Sequence, residues 1–399
     1  MPLNSQVARL ATAQALSGAN SVVVYATAAI IGHQLAPTPS LATLPISVFV
    51  IGMALSTLPV GALTHRYGRR AAFLLGNLSG VIMGLLAALA LVIQSFPLFC
   101  IAMLFGGAYA AVVLTFRFAA AECVTPEEKP RALSAVLLGG VIAGVLGPQL
   151  VTATMDTWLP HAYAMTYVAA AATAVLAAAV LSGMRIPRPA RTAGGRAVPI
   201  RSALLQPTFI VAMLCGVVSY MMMNFMMTSA PLAMELHGHS RAHSNYGIEM
   251  HVVAMYLPSF FTGRLITRFG SSRIIAGGLL LIAAAAIVGM HGMSVPHFWI
   301  ALVLLGLGWN FSFLGASALV LTCHTAEQAP RVQSVNDFVV FGSMVIGSFA
   351  SGALLSRFGW TLVCGMILAP VALAVLGLLW LKVFHQPAVA TADPAEPAR

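Results

Sequence analysis

Long runs of apolar residues, separated by short polar segments, follow one another along almost the whole chain. An α-helix of about 20 apolar residues is long enough to cross the roughly 30 Å hydrocarbon core of a bilayer. The pattern therefore predicts an all-α polytopic membrane protein with twelve transmembrane helices. The predicted spans lie near residues 10–32, 42–63, 71–93, 98–118, 132–154, 164–183, 208–234, 247–266, 274–293, 298–321, 333–355 and 361–384.

A polar segment rich in Arg, Pro and Gly, GMRIPRPARTAGGRAVPIRSALLQP, separates the sixth predicted span from the seventh. Such a composition is typical of a flexible linker. The sequence thus predicts two six-helix bundles, at residues 1–184 and 207–385. A cytoplasmic linker at 185–206 would join them, and a cytoplasmic tail would occupy 386–399.

The two predicted halves repeat short polar motifs. GALTHRYGRR follows the second span and GRLITRFGSSR follows the eighth, while CVTPEEKPRALS in the first half matches CHTAEQAPRVQS in the second. The matched positions include Gly61, Arg66, Gly68 and Cys123 in one half, and Gly263, Arg268, Gly270 and Cys323 in the other. Parallel six-span repeats with a substrate path between them are the layout of one large class of secondary transporters.

Charge agrees with this organisation and excludes other classes of protein. Only 8% of the residues are charged, whereas a soluble domain carries about 25%, so the predicted partner is the lipid bilayer. The net charge of +10 does not form a nucleic-acid-binding stripe. With both termini in the cytoplasm, all 20 Lys and Arg residues except Arg241 and Arg357 fall on that face, which predicts an N-in, C-in topology.

Chemical motifs of enzymes and pumps are missing from the sequence. It contains no Gly-x-x-x-x-Gly-Lys-Ser/Thr loop to hold nucleotide phosphates and no nucleophile–base arrangement, so we expect neither an ATP-driven pump nor an enzyme. The 5 cysteines have irregular spacing and do not predict a disulfide framework.

Two pairs of soft donor side chains stand out in the seventh and eighth spans. Met223 and Met227 are four residues apart, as are His251 and Met255, so each pair lies on one face of its helix. The two pairs lie at similar depths below one membrane surface. Thioether and imidazole donors favour copper over Mg²⁺ or Ca²⁺. The pattern therefore predicts a copper site at Met223, Met227, His251 and Met255.

Other interpretations of these residues stay open. Methionine runs in membrane spans often serve only packing, and Met222 with Met226 fits the same spacing one residue earlier. His161 and Met165 form a further, weaker pair. The following residues are secondary candidates for collecting copper or passing it on: His237, His239, His243, Cys123 and Cys323. Arg117, Glu249 and Asp337 are candidates either for proton coupling or for bracing helices.

The motif GALTHRYGRR resembles the loop signature of the major facilitator superfamily, Gly-x-Leu-x-Asp-Arg-x-Gly-Arg-Arg, and the resemblance extends over essentially the whole chain. It implies the major facilitator fold. It also implies a gating loop on one face of the membrane, at Gly61, Arg66, Gly68, Arg69 and Arg70. His65 replaces the acidic residue of the signature, and Thr267 stands there in the second copy, which puts the role of that carboxylate in doubt.

Within that superfamily the Met-x-x-x-Met and His-x-x-x-Met pairs resemble those of the CcoA-like bacterial copper importers. This resemblance implies alternating-access copper import across the bacterial inner membrane for assembly of haem–copper (cbb3-type) oxidase. Copper would be the cargo, no cofactor would be needed, and a cytoplasmic acceptor would receive the metal. Two alternatives remain: a transporter of the same fold that moves a small organic molecule such as riboflavin, and a membrane copper sensor or assembly factor that transports nothing.

Overall fold

The computed structural model of the protein describes residues 4–125, 128–184, 199–325 and 328–384. The described elements of the first half are α1 (Ser5–Leu35), a 3₁₀ turn at Pro39–Leu41, α2 (Leu44–Tyr67), α3 (Arg69–Val92), α4 (Phe96–Val113), α5 (Phe116–Glu122), α6 (Lys129–Thr154) and α7 (Ala164–Ser182). After the single turn α8 (Arg201–Leu204) come α9 (Pro207–Leu236), α10 (Arg241–Tyr256), α11 (Ser259–Phe269), α12 (Ser271–His291), α13 (Val295–Leu321), α14 (Ala329–Gly365) and α15 (Leu368–Phe384).

Ten helical segments in the described part of the chain are long and apolar enough to cross a membrane. The eighth predicted span is divided between α10 and α11. Pro258 lies at the division, and its nitrogen has no hydrogen to continue the helical hydrogen bonding. The eleventh and twelfth predicted spans join in α14, which turns at Gly359 with φ 78°. An all-helical membrane fold is confirmed, whereas the number twelve and the N-in, C-in orientation stay predictions.

The bundle has two ends, which we name by its chain segments. The near end is where α1 begins and where α2 turns into α3; the far end is the opposite one. Gly68 at the α2–α3 turn has φ 86°, and Gly270 at the equivalent α11–α12 turn has φ 83°. Glycine adopts this left-handed conformation without steric cost. The motif found twice in the sequence therefore makes the same sharp turn in each half.

Small residues allow the helices to pack closely. A Cβ added at Gly107 of α4 would collide with the backbone of α2 at Phe49 and Met53, and one added at Gly84 of α3 would collide with α7 at Tyr167. In the second half, Gly308 of α13 lies equally close to the backbone of α12. Close backbone approach at small residues is typical of membrane helix pairs, where dispersion and helix–helix hydrogen bonds replace the hydrophobic drive of water.

The predicted domain boundaries stay predictions. Most of the predicted linker, residues 185–198, and the whole predicted tail, 386–399, lie outside the described residues. Residues 199–206 are described and include the short helix α8, whose Ala203 is buried with Phe209 and Val320.

We expect the substitution Gly107→Ala to destabilise the fold, because the new methyl group would force α2 away from α4. Overpacking of this kind costs about 1–3 kcal/mol. Gly277→Ala is the matched control, since a Cβ at this α12 position would have nothing within 4 Å. Thermal unfolding of the purified variants in detergent measures the effect. Equal melting temperatures for the two variants would contradict the proposed contact.

Candidate substrate cavity

A cavity of about 110 Å³ lies between the two halves of the bundle; we call it the central chamber. Its wall in the first half comes from α1, α2, α4 and α6, and its wall in the second half from α9, α10 and α14. Four aromatic side chains contribute to it: Tyr25, Phe49, Tyr220 and Tyr256. The rings of Tyr25 and Phe49 meet edge to face with centroids 5.8 Å apart, a favourable arrangement for two π systems.

The structure brings three of the four predicted copper donors to this chamber. Met223, Met227 and Met255 all line it. Met223 and Met227 share one face of α9, and Met255 comes from α10. Met53 and Met344 also line the chamber, so its surface combines aromatic rings with polarisable thioethers.

His251, the fourth predicted donor, lies elsewhere. Its side chain is fully buried, and its Nδ1 lies 2.7 Å from the backbone oxygen of Leu302 in α13. The residue is not among those that line the chamber. Its Nε2 has no hydrogen-bond partner among the described residues. The four-residue spacing places His251 beside Met255, but the imidazole reaches toward α13 rather than into the chamber.

The alternative donors are also outside the chamber wall. Met222 and Met226 are buried, and the methyl group of Met226 lies against Gly289 of α12. Of the two possible registers in α9, the chamber-facing one is therefore Met223 and Met227. His161 lies in the connection between α6 and α7, where the centroids of its ring and the Trp158 ring are 6.1 Å apart. Met165 lies in the first turn of α7.

Hydrogen bonds around Asn224 close the chamber on its far side. The Tyr25 hydroxyl donates to Asn224 Oδ1 over 2.9 Å, and Asn224 Nδ2 donates to the backbone oxygen of Met344 over 3.2 Å. These bonds tie α1 to α9 and α9 to α14. Asn224 is completely buried, and both its Oδ1 and its Nδ2 make hydrogen bonds within the protein.

Closer to the far end, α2 and α14 meet through small hydroxyl side chains. The Ser47 hydroxyl donates to Ser348 Oγ over 2.9 Å, and the Thr43 hydroxyl donates to the Ser348 backbone oxygen over 3.4 Å. Gly352 allows this approach, because a Cβ there would collide with the Thr43 side chain.

Between α6 and α10 the far end is held by longer polar groups. Gln149 Nε2 donates to Glu249 Oε2 over 2.8 Å, and Arg241 Nη1 lies 3.2 Å from Asp156 Oδ1. Glu249, a predicted coupling candidate, therefore connects the two halves. Arg241, one of the two exceptions to the charge asymmetry, therefore has an anionic partner.

Toward the near end the chamber continues into a second cavity of about 270 Å³, which we call the vestibule. Aromatic rings form part of its wall: Tyr220, Trp309, Phe313 and Phe341. The Trp309 and Phe313 rings are stacked at 5.2 Å. Arg117 and Asp337, the other coupling candidates, both line the vestibule. The cavity system thus reaches toward the near end and is closed at the far end.

The predicted gating loop lies at the near end. Arg69 of this loop makes a two-pronged ion pair with Glu122 at the end of α5, which links α3 to α5 within the first half. The guanidinium of Arg66 lies 5.2 Å from the ring of Tyr67. Gly61 has open space where a Cβ would be. The side chain of His65 lies outside the described residues, so the substitution in the signature stays without a structural outcome.

The repeated cysteines contribute their backbone rather than their thiols. Asn4 Nδ2 donates to the Cys123 backbone oxygen over 3.0 Å, and Gln206 Nε2 donates to that of Cys323 over 3.2 Å. Asn4 and Gln206 each immediately precede the first long helix of their half. Burial raises the pKa of both thiols, and a raised pKa leaves less of the thiolate that binds metal.

The histidines of the far-end link are each held by a protein partner. His237 Nδ1 donates to the Ala233 backbone oxygen over 2.7 Å, and His239 Nε2 donates to that of Met293 over 2.6 Å. The His243 ring packs against the Trp299 ring, with centroids 5.9 Å apart. Within the described ranges, three or more His, Cys, Asp or Glu side chains nowhere form a group suited to a metal ion.

Sequence reasoning missed the aromatic walls of the chamber and the role of Asn224. An uncharged aromatic in an apolar span carries no signal that distinguishes a cavity wall from packing. Asn224 does carry one, since a polar amide inside a span needs a partner. Asn224 lies between Met222–Met223 and Met226–Met227 in the sequence, at the depth where a hydrogen bond joins the two halves.

We expect Gly352→Leu to hold the far end open, because the larger side chain would displace Thr43 and separate α2 from α14. Gly342→Leu is the matched control on the same helix, where a Cβ has nothing within 4 Å. The probe is a cysteine at Ser21, which lines the chamber. Its labelling by a membrane-impermeant maleimide, applied separately to each side of the membrane, is measured. Gly352→Leu should increase labelling from the far-end side, and unchanged labelling would contradict the gate.

Comparisons with known proteins agree with this architecture. The family model of the Major Facilitator Superfamily matches residues 10–258 and 212–398. The riboflavin transporter RfnT of Brucella anthropi is 42% identical over 375 residues, covering 93% of this chain and 94% of that protein. The uncharacterized MFS-type transporter YdeG of Bacillus subtilis is 32% identical, covering 86% of this chain and 84% of that protein.

Solved structures show the same fold at low identity. The xylose transporter XylE of E. coli, in a partially occluded inward open conformation, superposes with a TM-score of 0.69 at 14% identity over 96% of this chain and 98% of that one. The human organic anion transporter MFSD10 superposes with a TM-score of 0.70 at 16% identity, over 94% of this chain and 99% of that one. The narrower resemblance to CcoA-like importers stays a prediction. The chain belongs to the Major Facilitator Superfamily and is a multi-pass membrane transporter.

Proposed function

We propose that the protein transports riboflavin, or a closely similar planar heteroaromatic solute, by alternating access across the bacterial inner membrane. The observation that carries this proposal is the central chamber, an aromatic and thioether-lined space at the meeting of the two halves. Its chemistry agrees with the activity named for the 42% identical relative RfnT. This proposal is the organic-solute alternative stated above, and we favour it over copper import.

The connected cavities favour an organic solute. The chamber of about 110 Å³ opens into a vestibule of about 270 Å³, and small-molecule sites commonly enclose about 300–1,000 Å³, so the two cavities together offer space of that class. A single metal ion needs donors at roughly 2–2.3 Å on all sides, so most of this volume would serve no purpose for bare copper. A flat aromatic ring, by contrast, can contact Tyr25, Phe49 and Tyr220 at once.

The conformation fits one stage of the transport cycle. The far end is closed by hydrogen bonds between α1, α2, α6, α9, α10 and α14, while the vestibule leads from the chamber toward the near end. The charge asymmetry assigns the near end to the cytoplasm. In this orientation the described conformation is the one that exchanges cargo with the cytoplasm.

Copper transport remains the second candidate because three thioethers face one chamber. Met223, Met227 and Met255 supply the soft donors that Cu(I) prefers. His251 would have to leave Leu302 and turn into the chamber to complete the predicted set. The cytoplasmic copper acceptor belongs to this second candidate alone.

We expect proteoliposomes containing the protein to accumulate radiolabelled riboflavin above protein-free vesicles. Phe49→Leu should weaken uptake, because a stacked ring contributes about 0.5–1.5 kcal/mol beyond its buried area; this corresponds to a roughly twofold to tenfold higher KM. Phe349→Leu is the control, since Phe349 lies on the outer surface of α14. Absence of riboflavin transport by the folded wild-type protein would overturn the proposed function.

Methionine-to-leucine substitutions distinguish the two cargoes. Leucine keeps the approximate volume and apolar character of methionine and removes the sulfur, and such swaps usually cost less than about 1.5 kcal/mol. We expect Met223→Leu and Met227→Leu to transport riboflavin nearly as well as the wild type, with Met290→Leu on α12 as the matched control. Copper uptake that depends on the protein and is lost in both chamber variants would establish the second candidate instead.

A further inference from the structure

The central chamber and the vestibule form one continuous space with two different linings. Six residues belong to the walls of both: Gln14, Val113, Leu114, Gly140, Tyr220 and Tyr256. The shared residues come from both halves of the bundle, so the passage between the two cavities follows the interface between the halves.

The polar side chains are concentrated in the vestibule. Gln14 and Ser21 are the hydrophilic side chains of the chamber apart from the tyrosine hydroxyls. The vestibule carries Arg117 from α5 and a polar face of α14 formed by Gln333, Asn336 and Asp337. Gln333 and Asn336, and also Gln333 and Asp337, are three and four residues apart, so they share one side of the helix.

These vestibule groups are organised by mutual contacts. Asn336 is 7% exposed, and its Nδ2 donates to Asp337 Oδ1 over 3.2 Å. Arg117 from the first half and Asp337 from the second bring one cation and one anion to the same cavity. Their opposite charges leave the vestibule without a strong net charge.

We propose that the vestibule is a subsite for a neutral, hydroxylated side chain of the cargo, while the chamber holds the aromatic ring. This inference rests on the proposed flavin transport and specifies how one solute occupies both cavities. A hydroxyl group both donates and accepts hydrogen bonds. The wall offers a carboxylate that accepts, a guanidinium that donates and carboxamides that do both, which is the donor and acceptor mixture that a polyol requires.

The test compares two ligands that differ only in the side chain. Riboflavin carries a polyol on its ring, whereas lumiflavin has a methyl group at that position. Binding of each to the purified full-length protein in detergent is followed by quenching of flavin fluorescence. The variants are Gln333→Ala, Asn336→Ala and Asp337→Asn, each checked for folding by size-exclusion chromatography. Ile346→Ala is the control, because Ile346 lies on α14 with 69% of its surface exposed.

We expect the polar variants to raise the Kd of riboflavin roughly threefold to tenfold, the loss expected for one hydrogen bond. The Kd of lumiflavin should stay within a factor of about two, since its ring contacts the chamber alone. The preference for riboflavin over lumiflavin would therefore decrease in these variants and stay unchanged in Ile346→Ala.

The possible failures are distinguishable. If the wild type binds riboflavin and lumiflavin equally well, or if the variants weaken both ligands by the same factor, the polyol subsite is wrong and the vestibule is only a passage. If the folded wild-type protein binds neither flavin, the proposed function fails together with the subsite. If one variant does not fold, the two remaining positions on the same face of α14 still decide the question.

Discussion

The bilayer gives the backbone and the polar side chains of this protein no water to bind, and the structure follows from that constraint. Helices satisfy the backbone internally, and small residues such as Gly107 and Gly308 let the helices approach closely. A polar group inside the bundle must then find a protein partner. Asn224 finds two, on α1 and α14. This buried amide therefore joins the two halves beside the cavity.

Much of the fold could be predicted from the sequence because a helix that spans the bilayer must be apolar and about 20 residues long. Both properties can be measured on the sequence alone. The all-helical membrane architecture agrees with the structure, and the repeated motif, with Gly68 and Gly270 at matched positions, makes equivalent turns. Hydropathy also placed a connection at residues 356–360, which contains the turn at Gly359, but it could not locate the break at Pro258 inside the eighth predicted span. An interrupted helix and a continuous one contain equally apolar residues, so this difference depends on the missing N–H of one proline.

The candidate site could be predicted only in part. Residue spacing shows which side chains share a helix face, but it does not show which cavity or neighbouring helix that face meets. Met223, Met227 and Met255 do line one chamber. His251, four residues before Met255, has its Nδ1 near a backbone oxygen of α13, a partner that its own segment of sequence cannot reveal. The repeated Cys123 and Cys323 present a similar case. The pattern offered their thiols as secondary copper candidates, which stay predictions, and the structure adds a role for their carbonyl oxygens in fixing the start of each half.

The far-end closure is built from interactions that are individually weak, and this is what a reversible gate requires. Each hydroxyl or amide hydrogen bond between the halves contributes about 0.5–1.5 kcal/mol. The partly exposed Arg241–Asp156 pair contributes about 0–1 kcal/mol. A protein that interconverts between two conformations needs them to differ by only a few kcal/mol. A large apolar interface at the far end would lock it shut. Small polar contacts such as those around Tyr25 instead keep the free-energy difference between the two conformations small. The binding energy of a solute in the same chamber can then shift the equilibrium between them.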